Sequence, residues 1–191
     1  MTSRRAALAA AVAALTAVLG ALLMFAVPRW LGEPAATTAG APAAAPAGPS
    51  RTIKARLFYV SADGTTLTGV EREVPFAEGI EQAREIISAQ LAPIAADAPL
   101  VSAVPPGTVL RALFITDRGD AYVDLSREAA GAHGGGTLNE MLTVYTIVHA
   151  LTVNLPAVES VQILIEGQEV PTLAGHVDLR QPLAENPALV Q

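Results

Sequence analysis

Residues 137–165 read TLNEMLTVYTIVHALTVNLPAVESVQILI, and they contain the longest helix and the strongest strand that the globular part of the sequence predicts. Apolar side chains recur every three or four residues from Thr137 to about Leu155, which indicates a helix. Pro156 cannot continue that helix and ends it. Val158–Ile165 then has the apolar, branched composition of a strand, with a turn at Glu166-Gly167. The stretch therefore predicts a domain that combines α and β structure.

The predicted helix carries more apolar surface than one contact with a sheet requires. A helix that lies on a sheet normally shows a single apolar stripe. Here one stripe consists of Leu138, Met141, Leu142, Tyr145, Val148 and Thr152, and a second consists of Val144, Ile147, Leu151 and Leu155. Two interpretations follow: a neighbouring helix covers the second stripe, or the second stripe binds a partner protein. Val144, Ile147, Leu151 and Leu155 are therefore the candidate partner surface.

The elements before this helix form two hairpins with a helix between them. Alternating apolar residues predict strands at Ile53–Val60 and from about Leu67 to Val74, joined by a turn at Asp63-Gly64. Ile80–Leu91 has the spacing of an amphipathic helix. Its polar residues are expected to face solvent: Glu81, Gln82, Arg84, Glu85 and Gln90.

A second hairpin follows a proline-rich loop. It pairs Val109–Thr116 with Ala121–Leu125 around the turn residues Asp117–Asp120. The glycine-rich segment Gly131–Gly136 then leads into the long helix, where Thr137 as N-cap and Glu140 would make a capping box. The predicted order is ββαββαβ, which favours an α+β fold arranged as a two-layer sandwich.

The N-terminal region has the composition of a membrane segment. Ala6–Val27 is an uncharged run of 22 residues. As a helix it would measure about 33 Å, enough to span a hydrocarbon core of about 30 Å. Arg4 and Arg5 precede it, so the positive-inside rule places the N-terminus in the cytoplasm and the rest of the chain outside it. A cleaved signal peptide, giving a secreted or periplasmic protein, is the alternative.

The sequence divides into five predicted parts. Residues 28–50 contain five Pro, eight Ala and three Gly, a composition that predicts a linker without stable structure. The parts are a cytoplasmic tail at 1–5, a transmembrane anchor or signal peptide at 6–27, the linker at 28–50, the α+β domain at 51–182 and a C-terminal tail at 183–191.

Charge and composition exclude several classes of function. The chain has 12 Lys/Arg and 18 Asp/Glu residues. Three of the basic residues and one of the acidic residues precede residue 51, so the globular part has nine basic and seventeen acidic residues. This net charge of −8 argues against nucleic acid as a partner, because phosphates require a basic surface. The chain has no cysteine, so it forms no disulfide, contains no thiolate nucleophile and is not lipidated on an N-terminal cysteine. No metal or cofactor motif is present, and none is expected to be bound.

Several short motifs lie in a recognisable order. YVDLS at 122–126 is followed by the glycine segment, by YTIVHALT at 145–152 and by LPAV at 155–158. A strand ending at Gly167 and the segment LAGHVDLRQP at 173–182 complete the series. In this order and spacing the motifs resemble the GerM domain family of sporulation and spore-germination proteins, over residues of about 55 to 182.

The resemblance implies an extracytoplasmic domain without catalytic activity that takes part in protein assembly at the cell envelope. The expected partners are the membrane, through residues 6–27, and an envelope protein or a second copy of the chain. One alternative is a periplasmic or cell-wall ligand-binding module, which would need an apolar pocket with a few convergent polar groups. The other is a hydrolase in which His176 and Asp178 activate a serine such as Ser126 or Ser102.

Overall fold

A computed structural model describes residues 51–95 and 97–191. The predicted tail at 1–5, the membrane segment at 6–27 and the linker at 28–50 lie outside the described residues. Within the described ranges, no helix has both the length and the apolar character required to cross a membrane.

The first two strands form a long hairpin. Strand β1 (Thr52–Val60) pairs antiparallel with β2 (Leu67–Pro75), with Thr52 opposite Pro75 and Val60 opposite Leu67. At the turn the Asp63 carboxylate accepts hydrogen bonds from the Ser61 hydroxyl at 2.5 Å and from the Thr65 N–H at 3.0 Å. Gly64 has φ 74°, a conformation that glycine adopts without steric cost. The hairpin predicted around Asp63-Gly64 is confirmed.

The remaining strands form a second, mixed sheet. Strand β3 (Leu110–Ile115) pairs antiparallel with β4 (Asp120–Leu125), and β4 pairs parallel with β5 (Ser160–Ile165). Two short strands, β6 (Gln168–Glu169) and β7 (Leu183–Ala184), both pair antiparallel with β5. Ala121, Val123 and Leu125 of β4 and Val161, Ile163 and Ile165 of β5 are buried on one face of this sheet.

Two long helices contact both sheets. Helix α1 (Ile80–Leu91) packs against β1, β2 and β3, and a four-residue helix, α2 (Glu128–Gly131), precedes α3 (Thr137–Thr152). Helix α3 contacts α1, β1 and β5. The predicted order ββαββαβ is confirmed, with α2, β6 and β7 as additions, and the fold is α+β.

The prediction of two layers and a partner surface on α3 requires correction. Six consecutive residues, 146–151, are buried, and six residues span more than one full turn of a helix. This part of α3 is therefore covered on all sides, with the hairpin and α1 on it as well as the second sheet, whereas a two-layer sandwich leaves one helix face open. Val144, Ile147 and Leu151 have no exposed surface, and Leu155 is half-buried against the core. The second apolar stripe is part of the core. Helix α1 packs alongside α3, as predicted by the interpretation in which a neighbouring helix covers this stripe.

The C-terminal segment belongs to the folded domain and is not a free tail. Leu183 and Ala184 form β7. The Gln191 N–H donates to the Leu67 carbonyl, and Val190 forms an isolated parallel β-bridge with Leu67. Leu179 is 1% exposed and packs in the core. Its N–H donates to the Pro171 carbonyl and its own carbonyl accepts from the Gln162 side chain. The segment thus closes over the hairpin and the second sheet.

Candidate functional site

The carboxylate of Glu140 organises the loop that contains His176. Its side chain is fully buried in the first turn of α3. Oε1 accepts from the N–H groups of Leu173 at 2.8 Å and Ala174 at 3.0 Å, and Oε2 accepts from the His176 N–H at 2.8 Å. Burial alone would raise the pKa of Glu140, but these backbone hydrogen bonds outweigh it and hold the pKa below its ordinary value. The predicted capping box is wrong, because Gly136 is the N-cap and Glu140 binds a distant loop.

The two residues of the predicted hydrolase dyad, His176 and Asp178, each interact with a different side chain. His176 Nδ1 lies 3.1 Å from Glu140 Oε2. Asp178 instead accepts two hydrogen bonds from the Arg180 guanidinium, at 2.9 and 2.7 Å, and this pairing lowers the pKa of Asp178 to about 2. The Ser126 hydroxyl accepts from the Val109 N–H, and the Ser102 hydroxyl donates to the Val104 carbonyl. Each of these four candidate residues therefore has a hydrogen-bond partner outside the proposed catalytic set.

The outer edge of β1 is closed by two side-chain amides. Asn154 accepts from the Arg56 N–H and donates to the Arg56 carbonyl, both at 2.8 Å. Gln90 makes the same pair of 2.8 Å bonds with Phe58. The Val60 N–H then donates to the Val101 carbonyl at 2.8 Å. Each amide supplies one donor and one acceptor, as a neighbouring strand would, so this edge is closed from Arg56 to Val60.

The other hairpin edge and the far edge of the second sheet are also protected. The Gln191 N–H donates to the Leu67 carbonyl at the start of β2. Further along the strand, Glu71 and Glu73 are exposed charged residues, which discourage pairing with another strand. Strand β5 carries β6 at one end and β7 at the other. Neither edge presents a long row of unpaired, apolar residues.

Strand β3 has the open edge. The Thr116 N–H donates to the Asp120 carbonyl at 3.0 Å, which sets the alternation of the β3–β4 ladder. By this alternation Leu113 and Ile115 direct their backbone groups away from β4. The Arg84 guanidinium donates to the Leu113 carbonyl at 2.9 Å. Leu113 is fully buried, whereas Ile115 is half-buried, and residues 51–95 and 97–191 supply no acceptor for the Ile115 N–H.

Exposed apolar side chains accompany this edge. Phe114 is 60% exposed and lies opposite Tyr122 in the β3–β4 register, and Val109, just before the strand, is 55% exposed. Open backbone groups beside exposed apolar side chains are the features that an added strand requires. We define Val109 to Ile115 as the β3 edge. The sequence predicted this strand but not that it would be the uncovered one, because the covering residues come from distant parts of the chain.

Solved structures identify the class of fold. A protein described as a lipoprotein from Clostridium perfringens is 22% identical, with a TM-score of 0.52 over 71% of this chain and 89% of that one. The first GerMN domain of the sporulation protein GerM from Bacillus subtilis is 18% identical, with a TM-score of 0.51 over 71% of this chain and 96% of that one. Among curated proteins, none matches by sequence. The globular part is thus an α+β domain with a GerMN-like fold.

The family follows from the sequence match. The model of the Germane family, described as sporulation and spore germination, matches residues 56–171. The chain belongs to this family, and the resemblance drawn from its motifs is confirmed.

Proposed function

We propose that this protein is a membrane-anchored, extracytoplasmic interaction module that binds another envelope protein and performs no catalysis. Membership of a sporulation and germination family supports the extracytoplasmic setting, as does the fold shared with a lipoprotein and with the sporulation protein GerM. The apolar run Ala6–Val27 after Arg4 and Arg5 supplies the anchor. Residues 28–50 would hold the domain away from the bilayer.

The partner contributes an extended segment that adds to β3 as a further strand. The observation that carries this proposal is the contrast between edges: Asn154, Gln90 and Val101 close β1 from Arg56 to Val60, whereas β3 keeps the outward N–H of the half-buried Ile115 beside the exposed Phe114. Backbone hydrogen bonds would provide affinity, and Phe114 would select an apolar side chain on the incoming strand. A small acidic domain with one such edge is suited to docking and needs no catalytic centre for it.

Two substitutions test the docking mode in the full-length chain. Ile115→Pro removes an N–H that faces away from β4, and Phe114→Asp places a charge where an apolar contact is expected. Co-purification of the envelope partner from crosslinked membranes should fall at least tenfold in both variants. Phe76→Asp, at another partly exposed phenylalanine, is the matched control and should leave co-purification unchanged. Undiminished capture by both β3 variants, with melting temperatures equal to wild type, would exclude the β3 edge.

Protease protection tests the topology. In spheroplasts, added protease should digest the domain, while the undigested protein fractionates with membranes and keeps its N-terminal segment. Release of all the protein as a shortened soluble form would establish the cleaved signal peptide instead.

A further inference from the structure

A small cavity lies where the C-terminal segment closes over β1 and the end of α3. Its volume is about 270 Å³, below the roughly 300–1,000 Å³ of sites for drug-sized ligands. Phe58, Val153, Pro187 and Val190 form apolar walls, and Arg56, His149 and Glu185 contribute the polar groups. An apolar pocket with a few convergent polar groups is the composition of a small-molecule site.

The imidazole of His149 is held in an unusual position within this cavity. His149 is 2% exposed and lies between the rings of Phe58 and Tyr145, at centroid distances of 5.3 and 5.7 Å. Burial lowers the pKa of His149, against the opposing effect of Glu185. Its Nε2 atom makes no hydrogen bond within 3.5 Å among the described residues, although the Asn186 backbone lies close enough to the imidazole to oppose the lowering of its pKa.

Two opposite charges face the same cavity without pairing. Arg56 and Glu185 both line it, and within residues 51–95 and 97–191 neither forms an ion pair at 4.0 Å or less. The Arg56 guanidinium lies 5.7 Å from the centroid of the Phe58 ring. A Cβ atom on Gly69 would come 2.0 Å from Arg56 Nε, so this side chain lies across β2 in the space that glycine leaves.

We propose that this cavity binds a small zwitterion of the α-amino acid class. Arg56 would bind the carboxylate, Glu185 the ammonium group, and the apolar walls a short aliphatic side chain. The cavity uses no residue of the β3 edge, so the proposal stands independently of the docking function. It also lies partly beyond residues 56–171, the range of the family match, because Glu185, Pro187 and Val190 come from the closing segment.

Calorimetric titration of the full-length chain tests the proposal. The probes are the L and D forms of alanine and valine, together with 3-methylbutanoate, which lacks the ammonium group of valine, and isobutylamine, which lacks its carboxylate. At least one amino acid should bind tenfold or more tightly than both singly charged analogues, since only a zwitterion satisfies both charges. Failure of all four amino acids to bind, or equal binding of 3-methylbutanoate, would overturn it.

Charge-removing variants locate the site. Arg56→Gln and Glu185→Gln, both at exposed positions, should each weaken amino-acid binding at least tenfold while circular dichroism and melting temperature stay as in wild type. Arg118→Gln and Glu169→Gln, exposed charges on the other sheet, are the matched controls and should bind as wild type does. Wild-type affinity in both cavity variants, or equal loss in the controls, would place the binding elsewhere and refute the assignment.

Discussion

Two buried glutamines satisfy backbone groups that have no partner in a neighbouring strand. Gln90, expected to face solvent, is 1% exposed because its amide completes the backbone hydrogen bonds of Phe58. Gln82 is buried for a similar reason, since it bonds the Ala77 N–H and the Pro75 carbonyl. Helical periodicity separates apolar from polar positions, but it does not reveal which polar groups will meet an unpaired backbone segment from another part of the chain.

The buried carboxylate of Glu140 allows a prediction about the stability of the domain. Glu140→Gln keeps the size of the side chain but turns one acceptor into an amide donor that faces backbone N–H groups. We expect a loss of about 1–3 kcal/mol in the free energy of unfolding, measured by urea denaturation. Glu169→Gln, at an exposed position, should change it by less than about 0.5 kcal/mol. Equal stability of the two variants would show that the Glu140 carboxylate does not hold the 173–176 loop.

The same carboxylate predicts a dependence of stability on pH. The folded state lowers the pKa of Glu140 below its ordinary value of 4.5, so its stabilisation is complete above that value and is lost as pH falls through the folded pKa. The difference in unfolding free energy between wild type and Glu140→Gln should therefore shrink between pH 7 and about pH 3. A difference that stays constant over this range would mean that folding does not change the pKa of Glu140.

Among the elements, β1 illustrates how an edge is closed without a neighbouring strand. Gln90→Met removes the donor and the acceptor that Phe58 uses, and it leaves two buried backbone groups unpaired. We expect a loss of at least about 1–3 kcal/mol in unfolding free energy. Self-association should also rise in sedimentation velocity experiments, since the edge becomes available to other chains. Gln168→Met, on exposed β6, is the control; an effect no larger than in that variant would contradict the closed-edge interpretation.

The limits of the helices and strands could be predicted from local sequence far better than the elements that pack against each of them. Ile80–Leu91 was predicted at its observed limits, because its apolar spacing and the prolines beyond it are local signals. The burial of Val144, Ile147 and Leu151 was not predicted, because it depends on the hairpin and α1 both packing against α3. The spacing of apolar residues indicates how many apolar faces a helix has. Which element covers each face depends on the tertiary structure.

At the scale of the whole molecule, the C-terminal segment completes the domain. A full-length chain truncated after Gly175 lacks His176, the buried Leu179, β7 and the Gln191 contact to Leu67. We expect the cooperative thermal transition to be lost or lowered by at least about 4–8 °C, the shift that roughly 1 kcal/mol produces in a small domain. Unchanged melting would show that residues 176–191 contribute nothing to folding.

The fold class and family of this chain were accessible from sequence, whereas its candidate surfaces were not. The α+β order and the family resemblance rest on contiguous motifs such as YVDLS at 122–126 and LAGHVDLRQP at 173–182. The β3 edge is contiguous, but its exposure depends on distant residues that cover the other edges and leave this one open. The Arg56–Glu185 cavity combines residues far apart in sequence, and Glu185 lies in a segment predicted to be a tail. Sites of this kind become visible only when the closing contacts are known.

Site-specific photocrosslinking tests the central claim, that an envelope protein docks on the β3 edge. A photoreactive residue would replace Phe114 in one full-length chain and Lys54, exposed on the hairpin, in another, with both irradiated in native membranes. We expect an adduct with one other envelope protein from position 114, none from position 54, and loss of the adduct when Ile115→Pro is added. Equal adducts from both positions, an adduct of two copies of this chain, or persistence of the adduct with Ile115→Pro would contradict it.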